Sequence, residues 1–261
     1  MISKIESAQG RTGAAIKCEA VSRSFSGAGL VLDGISFDVE PGEFVALLGP
    51  SGSGKSSLLR LAAGLDYPNH GRLVIEGSNG ALSRGFVFQE ATLMPWRTVL
   101  RNTMLPLELT GRNKGEAEAR AMEELRRVRL ADFSARYPHE LSGGMKMRAS
   151  VARALTTRPN LLLLDEPFAA LDESTRHALQ LQLRVIWRAL GMTVLFVTHS
   201  VTEAVFLADR IILLSQRPAR LLLDRRVALP ETRDTELRTS VEYNREIRHI
   251  SAAVPVAGER S

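Results

Sequence analysis

The sequence predicts an α/β fold, and three observations carry that prediction. Apolar runs of strand length, Val45-Ala46-Leu47-Leu48, Leu161-Leu162-Leu163-Leu164 and Thr193-Val194-Leu195-Phe196-Val197, alternate with longer segments of helical periodicity. Each run delivers residues with chemistry to offer, which is where ligands meet α/β sheets. The first run feeds Gly49, Pro50, Ser51, Gly52, Ser53, Gly54, Lys55 and Ser56, a complete G-x-x-x-x-G-K-[S/T] phosphate-binding pattern.

That pattern stands in the context it requires. Residues 45–48 read as a buried strand, and Ser57-Leu58-Leu59-Arg60-Leu61-Ala62-Ala63 reads as a helix ended by Gly64. A triphosphate is a dense anion that needs many converging donors. The glycines let the backbone curl with its N–H groups inward, and the helix beginning near Lys55 adds the positive end of its dipole. Lys55 is expected to reach the β- and γ-phosphate oxygens as a point charge, and the Ser56 hydroxyl to take one position on Mg²⁺. The alternative is a glycine-rich turn that happens to contain Lys-Ser, and it leaves the flanking strand and helix without a reason.

Composition narrows the class. Of the 261 residues, 44% are apolar and 24% charged, ordinary for a globular chain able to bury a sizeable core. No apolar run approaches the roughly 20 residues of a transmembrane helix, and Met1-Ile2-Ser3-Lys4-Ile5-Glu6 lacks the apolar core of a secretory signal, so a cytoplasmic location is expected. The single cysteine, Cys18, excludes an internal disulfide and fits a reducing compartment. The five histidines have no partners at metal-ligand spacing, so no zinc site is expected. Lys plus Arg exceed Asp plus Glu by 34 to 29, an excess that suits nucleic acid, an anionic membrane surface or a solvated basic face. The basic residues are scattered with few aromatics between them, which favours the last two, and no nucleic-acid partner is expected.

In chain order, residues 1–15 are polar and glycine-dotted, with little to hold them in place. Strands are expected at 16–21 and 35–39, with the turn Ser26-Gly27-Ala28-Gly29 between them. Phe25, before that turn, is either a stacking surface for a purine or part of the core. A turn at 68–71 and strands at 72–77 and 85–88 follow, the last ending at Gln89, which is either a ligand-facing amide or a surface one. From Glu90 to Thr157 the pattern turns helical; residues 114–128 place Ala117, Ala121, Leu125 and Val128 on one face. Met94-Pro95-Trp96 in this stretch reads as subdomain core or as an exposed docking surface.

Leu141-Ser142-Gly143-Gly144-Met145 opens a helix over 144–155, an anion-ready N-terminus or simply a cap. The run 161–164 ends in Asp165 and Glu166; carboxylates at the tip of a buried strand suit a Mg²⁺–phosphate site, with Asp165 on the metal and Glu166 on the attacking water, or simply mark a strand emerging into solvent. A helix over 175–190 carries Leu179, Leu183, Ile186 and Leu190 on its apolar face. Strand 193–197 delivers Thr198 and His199, and Ser200 with Glu203 makes a capping box for the next helix. His199 thus reads as a γ-phosphate contact or as a local backbone partner. Strand 210–214 closes the regular part, and a helix over 234–250 is expected with Leu237, Val241, Ile247 and Ile250 apolar.

Together and in this order, these motifs resemble the ATP-binding cassette (ABC) family over residues 16–225. In that family's terms Gly49 to Ser56 match Walker A, Gln89 the Q-loop, Leu141 to Met145 the signature, Leu161 to Glu166 Walker B, Ala170-Leu171-Asp172 the D-loop, and His199 the switch histidine. Phe25 occupies the place of the adenine-stacking aromatic. The resemblance implies a P-loop NTPase core with an antiparallel β subdomain and a helical insert subdomain at about 90–157, followed by a C-terminal helix and tail at 226–261. It implies an ATPase that uses ATP and Mg²⁺, acting as a head-to-tail homodimer.

In such a dimer the nucleotide is bound by Phe25, by Gly49 to Ser56 and by Ser57 of one copy, with Ser142, Gly143, Gly144 and Asp172 contributed across the interface. Ser56, Gln89 and Asp165 would hold the metal, while Glu166, His199 and Gln89 serve catalysis. Within the family, Met94-Pro95-Trp96-Arg97-Thr98-Val99, the Gly-Gly-Met form of the signature and Phe168-Ala169-Ala170-Leu171-Asp172 look like the cassettes of nitrate, taurine and aliphatic sulfonate importers. Those work on the cytoplasmic face of the inner membrane with a transmembrane permease and, indirectly, a periplasmic substrate-binding protein. Met145, Met147 and Ala169 depart from commoner residues of the family and remove possible cross-dimer polar contacts; none touches Lys55, Asp165, Glu166 or His199, so an active ATPase is expected. The competing readings are the cassette of another importer, such as one for a pyrimidine precursor, and a soluble non-transport cassette ATPase acting on DNA or ribosomes.

Overall fold

The computed structural model describes residues 12–27 and 29–254. Two sheets organise it. Strands β1 (Ala15–Phe25), β2 (Gly29–Val39) and β4 (His70–Glu76) form an antiparallel sheet in the order β2-β1-β4. The larger sheet has the order β5-β6-β7-β3-β8-β9. In it β5 (Arg84–Val87), β6 (Leu161–Asp165), β7 (Thr193–Thr198), β3 (Phe44–Leu48) and β8 (Arg210–Leu214) run parallel, and β9 (Leu221–Arg226) lies antiparallel at the edge.

The apolar runs are unbroken because their two faces serve two cores. Phe44, Ala46, Leu48, Leu162, Leu164 and Phe196 face the core built with the later helices. Val45, Leu47, Leu161, Leu163, Leu195 and Val197 face a second core, shared with the antiparallel sheet and with α1 (Lys55–Ala63). With both faces covered, the register is pinned, because a slip of one residue would swap the two sets of side chains.

The helical insert comprises α2 (Val99–Leu109), α3 (Lys114–Arg127) and α4 (Gly143–Leu155). Ala117, Ala121, Leu125 and Val128 are all buried, as their spacing predicted. Met104, Leu107, Ala117 and Ala121 make a small core of their own, while α4 also packs on β5 and on α5 (Glu173–Leu190), tying the insert to the sheet. Trp96 is 72% exposed, which removes the core reading for that residue.

Several expectations are corrected. Helix α2 lies within the helical stretch expected at 90–157, which set no bounds for it, and it tolerates Pro106; its start is marked by Thr98, whose hydroxyl accepts from the Arg101 N–H. The strands expected at 16–21 and 35–39 are longer, since each continues towards the 26–29 turn through pairing partners the sequence cannot name. Regular structure does not close at Leu214: β9 follows, and α6 (Val201–Leu207) packs against α7 (Val241–Ala253). The expected helix over 234–250 divides into a 3₁₀ turn at Glu236–Thr239 and α7, capped by Ser240. Val241, predicted apolar-face, is therefore the first residue of α7 and is 74% exposed, whereas Ile250 is buried.

Of the stretch 1–15, residues 1–11 lie outside the described residues, as do Ala28 of the predicted turn and residues 255–261 of the tail. Ala14 is buried, with its carbonyl accepting from Thr193 Oγ1 at 2.6 Å.

Candidate active site

Strand register sets the site before any side chain is considered. Val87 pairs with Leu164, Asp165 with Val197, and Leu48 with Thr198, so the carboxyl ends of β5, β6, β7 and β3 finish at one level. The residues beyond those ends are Gln89, Glu166, His199 and Gly49.

The loop after β3 is shaped by glycine where glycine is required. Gly54 has φ of 111°, and a Cβ there would lie 2.9 Å from Val31 Cγ1. Both facts exclude other residues. Gly54 is also the N-cap of α1, which has no side-chain cap and no acidic residue in its first turn, leaving the helix's positive end for an anion. Lys55 is 4% exposed, and its Nζ donates to the Gly49 and Pro50 carbonyls at 2.8 Å each. Burial pushes the Lys55 pKa down, while Glu166 and Asp165 pull it back up. Ser53 Oγ is buried without a hydrogen-bond partner among the described residues, an orphan that a phosphate oxygen would satisfy.

Opposite the loop, Ser56 Oγ donates to Asp165 Oδ1 at 2.8 Å. Burial raises the Asp165 pKa; the Ser56 hydroxyl and Lys55 oppose that, and Glu166 adds to it. A partly buried carboxylate beside a hydroxyl is a hard-oxygen donor pair that fits Mg²⁺, and a cation there would relieve the cost of desolvating the charge. Glu166 sits at φ of 43°, unusual for a residue with a side chain, held by its N–H to the Val197 carbonyl at 3.0 Å. That turn presents its carboxylate to His199, with Nδ1 and Oε2 2.8 Å apart.

The remaining predicted residues divide. Ser57 follows Ser56 on the first turn of α1. Gln89 is exposed just beyond β5. Phe25 is half-buried against the core, with the Arg23 guanidinium 4.6 Å from its ring centroid. Ser142 caps α4 and is exposed, as is Gly143, while Gly144 packs on Thr175. Asp172 caps α5, accepting from the Thr175 N–H and Ser174 Oγ, and these donors hold its carboxyl down to about 2. Among the described residues, no hydrogen bond joins Ser142, Gly143, Gly144 or Asp172 to the phosphate loop.

Sequence reasoning missed the setting of His199. Ser200 does cap α6, its Oγ accepting from the Glu203 N–H. Glu203 does not complete the box; its carboxylate instead accepts from Thr198 Oγ1 at 2.7 Å. The Ser-x-x-Glu pattern could only be read as a cap, because nothing local says that Glu203 turns back to the strand.

A glycine-rich loop, a hydroxyl–carboxylate pair and a carboxylate–imidazole pair at adjacent strand ends define a nucleoside triphosphatase. A model of the ABC transporter family matches residues 32–169, just over half of the chain. The chain is 46% identical over 223 residues to an uncharacterised ABC transporter ATP-binding protein of Methanocaldococcus jannaschii, covering 84% of this chain and 83% of that one. It is 43% identical over 223 residues to the nitrate import ATP-binding protein of Synechocystis, covering 84% of each. It is 44% identical over 194 residues to the taurine import ATP-binding protein of Rhizobium johnstonii, covering 73% of this chain and 74% of that one. Among solved structures, a dimeric ATP-binding cassette in a post-hydrolysis state bound to ADP and Pi matches with a TM-score of 0.72 and 31% identity, over 82% of this chain and 100% of that one. The chain belongs to the ABC transporter family and is an ATPase that hydrolyses ATP to power transport. Among the described residues, no helix is long and apolar enough to cross a membrane.

Proposed function

We propose that the chain is the energy-coupling subunit of an importer for small anions of the nitrate, taurine or sulfonate kind. It would act as a head-to-tail homodimer on the cytoplasmic face of the inner membrane, with a transmembrane permease and, through it, a periplasmic binding protein. The observation that carries the catalytic part is the meeting of Ser56–Asp165 and Glu166–His199, each pair 2.8 Å apart, beside the Lys55 loop. The anion class is supported by the similarity to nitrate and taurine cassettes and by the sequence around Met94 to Val99.

The roles follow from chemistry. Lys55, Ser53 Oγ and the backbone N–H groups at the start of α1 bind the phosphates; Phe25 borders the base. Ser56, Asp165 and Gln89 would hold Mg²⁺, which would supply charge neutralisation at the phosphates. Glu166 accepts the proton of the attacking water, and His199 keeps that carboxylate aimed. Ser142 and Gly143, exposed at the start of α4, and the Gly144 behind them, with Asp172, act on the nucleotide of the second copy. Exposed Trp96, beside a groove of about 480 Å³ with Arg97, Arg101 and Tyr137, suits docking of the permease.

The test is Glu166→Gln, which keeps the shape and removes the base. ATP binding is expected to persist and a nucleotide-bound dimer to accumulate while turnover collapses by about 100-fold or more. Undiminished hydrolysis would remove Glu166 from the mechanism. Uptake of nitrate, taurine and alkanesulfonates by cells carrying the chain and its copurifying permease tests the anion class.

A further inference from the structure

His199 is 52% exposed along its side chain, and among the described residues its ring makes one hydrogen bond, to Glu166, so something behind it must fix the backbone from which it projects. The preceding residue supplies the anchor. Thr198 is 1% exposed; its hydroxyl donates to Glu203 Oε2 at 2.7 Å and accepts from the Ser200 N–H at 3.0 Å, so the two bonds bracket His199. Glu203 is 8% exposed and faces Arg176, whose Nε lies 3.7 Å from Oε1. Arg176 in turn donates to the Leu171 carbonyl at 2.7 Å, in the turn that ends at Asp172. Glu203, Thr198, Arg176, Glu166 and His199 share the walls of one cavity of about 70 Å³.

A carboxylate this buried, on a helix that Ser200 already caps, is not needed for solubility or for the cap. Burial pushes its pKa up, and the Thr198 hydroxyl and Arg176 act against that. Its burial is explained by what it holds. We propose that Glu203 is a positioning residue for ATP hydrolysis: by accepting from Thr198 it sets the backbone that presents His199 to Glu166, with Arg176 as its counter-charge on the Leu171–Asp172 side. This rests on the Glu166–His199 reading above. A misplacement of about 1 Å in a catalytic group can cost about 100-fold, so a lost anchor should register in kcat rather than in nucleotide affinity.

The experiment compares Glu203→Ala, Glu203→Gln, Thr198→Val and the Glu203→Ala/Thr198→Val double variant in the full chain, reading kcat, KM and nucleotide affinity. Thr198→Val is nearly isosteric, so it carries the test should Glu203→Ala fold poorly. The expected result is a fall in kcat of at least about fivefold in Thr198→Val and Glu203→Ala with KM within about twofold, a double variant no worse than the poorer single, and recovery in Glu203→Gln, which keeps an oxygen for Thr198. A smaller fall in folded Thr198→Val, a loss confined to KM, losses that multiply in the double variant, or no recovery in Glu203→Gln would each overturn the proposal. Glu166→Gln run alongside separates the two readings: if it hydrolyses ATP freely, the Glu166 assignment fails, whereas its collapse with intact Thr198→Val activity rejects only the anchor.

Discussion

Replacing Gly144 with alanine sets two effects against each other at the start of α4. Alanine is the better helix former by at most about 1 kcal/mol, and less in a first turn. Against this, the new Cβ would overlap the Thr175 Cγ2 methyl, with Thr175 Cβ itself only 3.6 Å away. Thr175 sits in the first turn of α5 with its N–H tied to Asp172, so its Cβ is fixed and only a change of χ1 rotamer, restricted for a β-branched residue in a helix, could move the methyl. Overpacking of this kind costs about 1–3 kcal/mol, which exceeds the helix gain. Gly144→Ala is therefore expected to destabilise by up to about 2 kcal/mol in the wild-type background. Thr175→Ser deletes the offending methyl and keeps the hydroxyl. In that background the same substitution should become neutral or stabilising by up to about 1 kcal/mol. Denaturant unfolding of the four proteins measures the coupling directly, expected at about 1–3 kcal/mol. Equal effects in the two backgrounds, a coupling under about 0.5 kcal/mol, would refute the steric account of Gly144.

Two further outcomes concern groups that catalysis does not use. Arg233 has a side chain 1% exposed and donates from Nη1 to the Val205, Phe206 and Ala208 carbonyls at the end of α6; burial lowers its pKa to about 10, so it stays charged at neutral pH. Arg233→Met should cost about 3–5 kcal/mol, or about 6–20 °C in Tm, by leaving those carbonyls unsatisfied, and a melt within 2 °C of wild type would contradict this. Cys18 is buried, and burial pushes its thiol up from 9.0 to about 12. The folded state thus favours the neutral thiol: that contribution to stability is complete below pH 9.0 and is lost as pH rises towards about 12. At pH 8 an alkylating reagent should label Cys18 at a rate that follows unfolding, and fast labelling of native protein would refute the burial.

The order of the chemical residues was legible because each motif is contiguous and its chemistry is local. The loop from Gly49 to Ser56 needs its glycines and lysine at fixed spacing, and the run into Asp165 and Glu166 needs apolar residues followed by acid; both stand where they were expected. Apolar periodicity likewise revealed the faces of α3 and of α5, where Leu179, Leu183 and Ile186 are buried. The bounds of α2 and the whole of strand β9 were not legible. The helical stretch at 90–157 did not say where one helix ends, and Leu221-Leu222-Leu223-Asp224-Arg225-Arg226 becomes a strand only because β8 offers it an edge.

What the sequence by itself determined is the set of parts: a phosphate loop, an acid pair, a histidine and a helix start rich in glycine, all in an order that resembles one family. Their local backbone needs are encoded within a few residues, so no tertiary partner is required to read them. What only the tertiary structure decided is which parts meet. Register between β3, β6 and β7 brings Ser56 to Asp165 and Glu166 to His199 across 109 and 33 residues of chain. The same packing leaves Ser142 and Gly143 uncovered on α4. It also turns Glu203 from a cap into the partner of Thr198, because a long-range contact is settled by which buried polar groups must satisfy each other and not by any pattern along the chain.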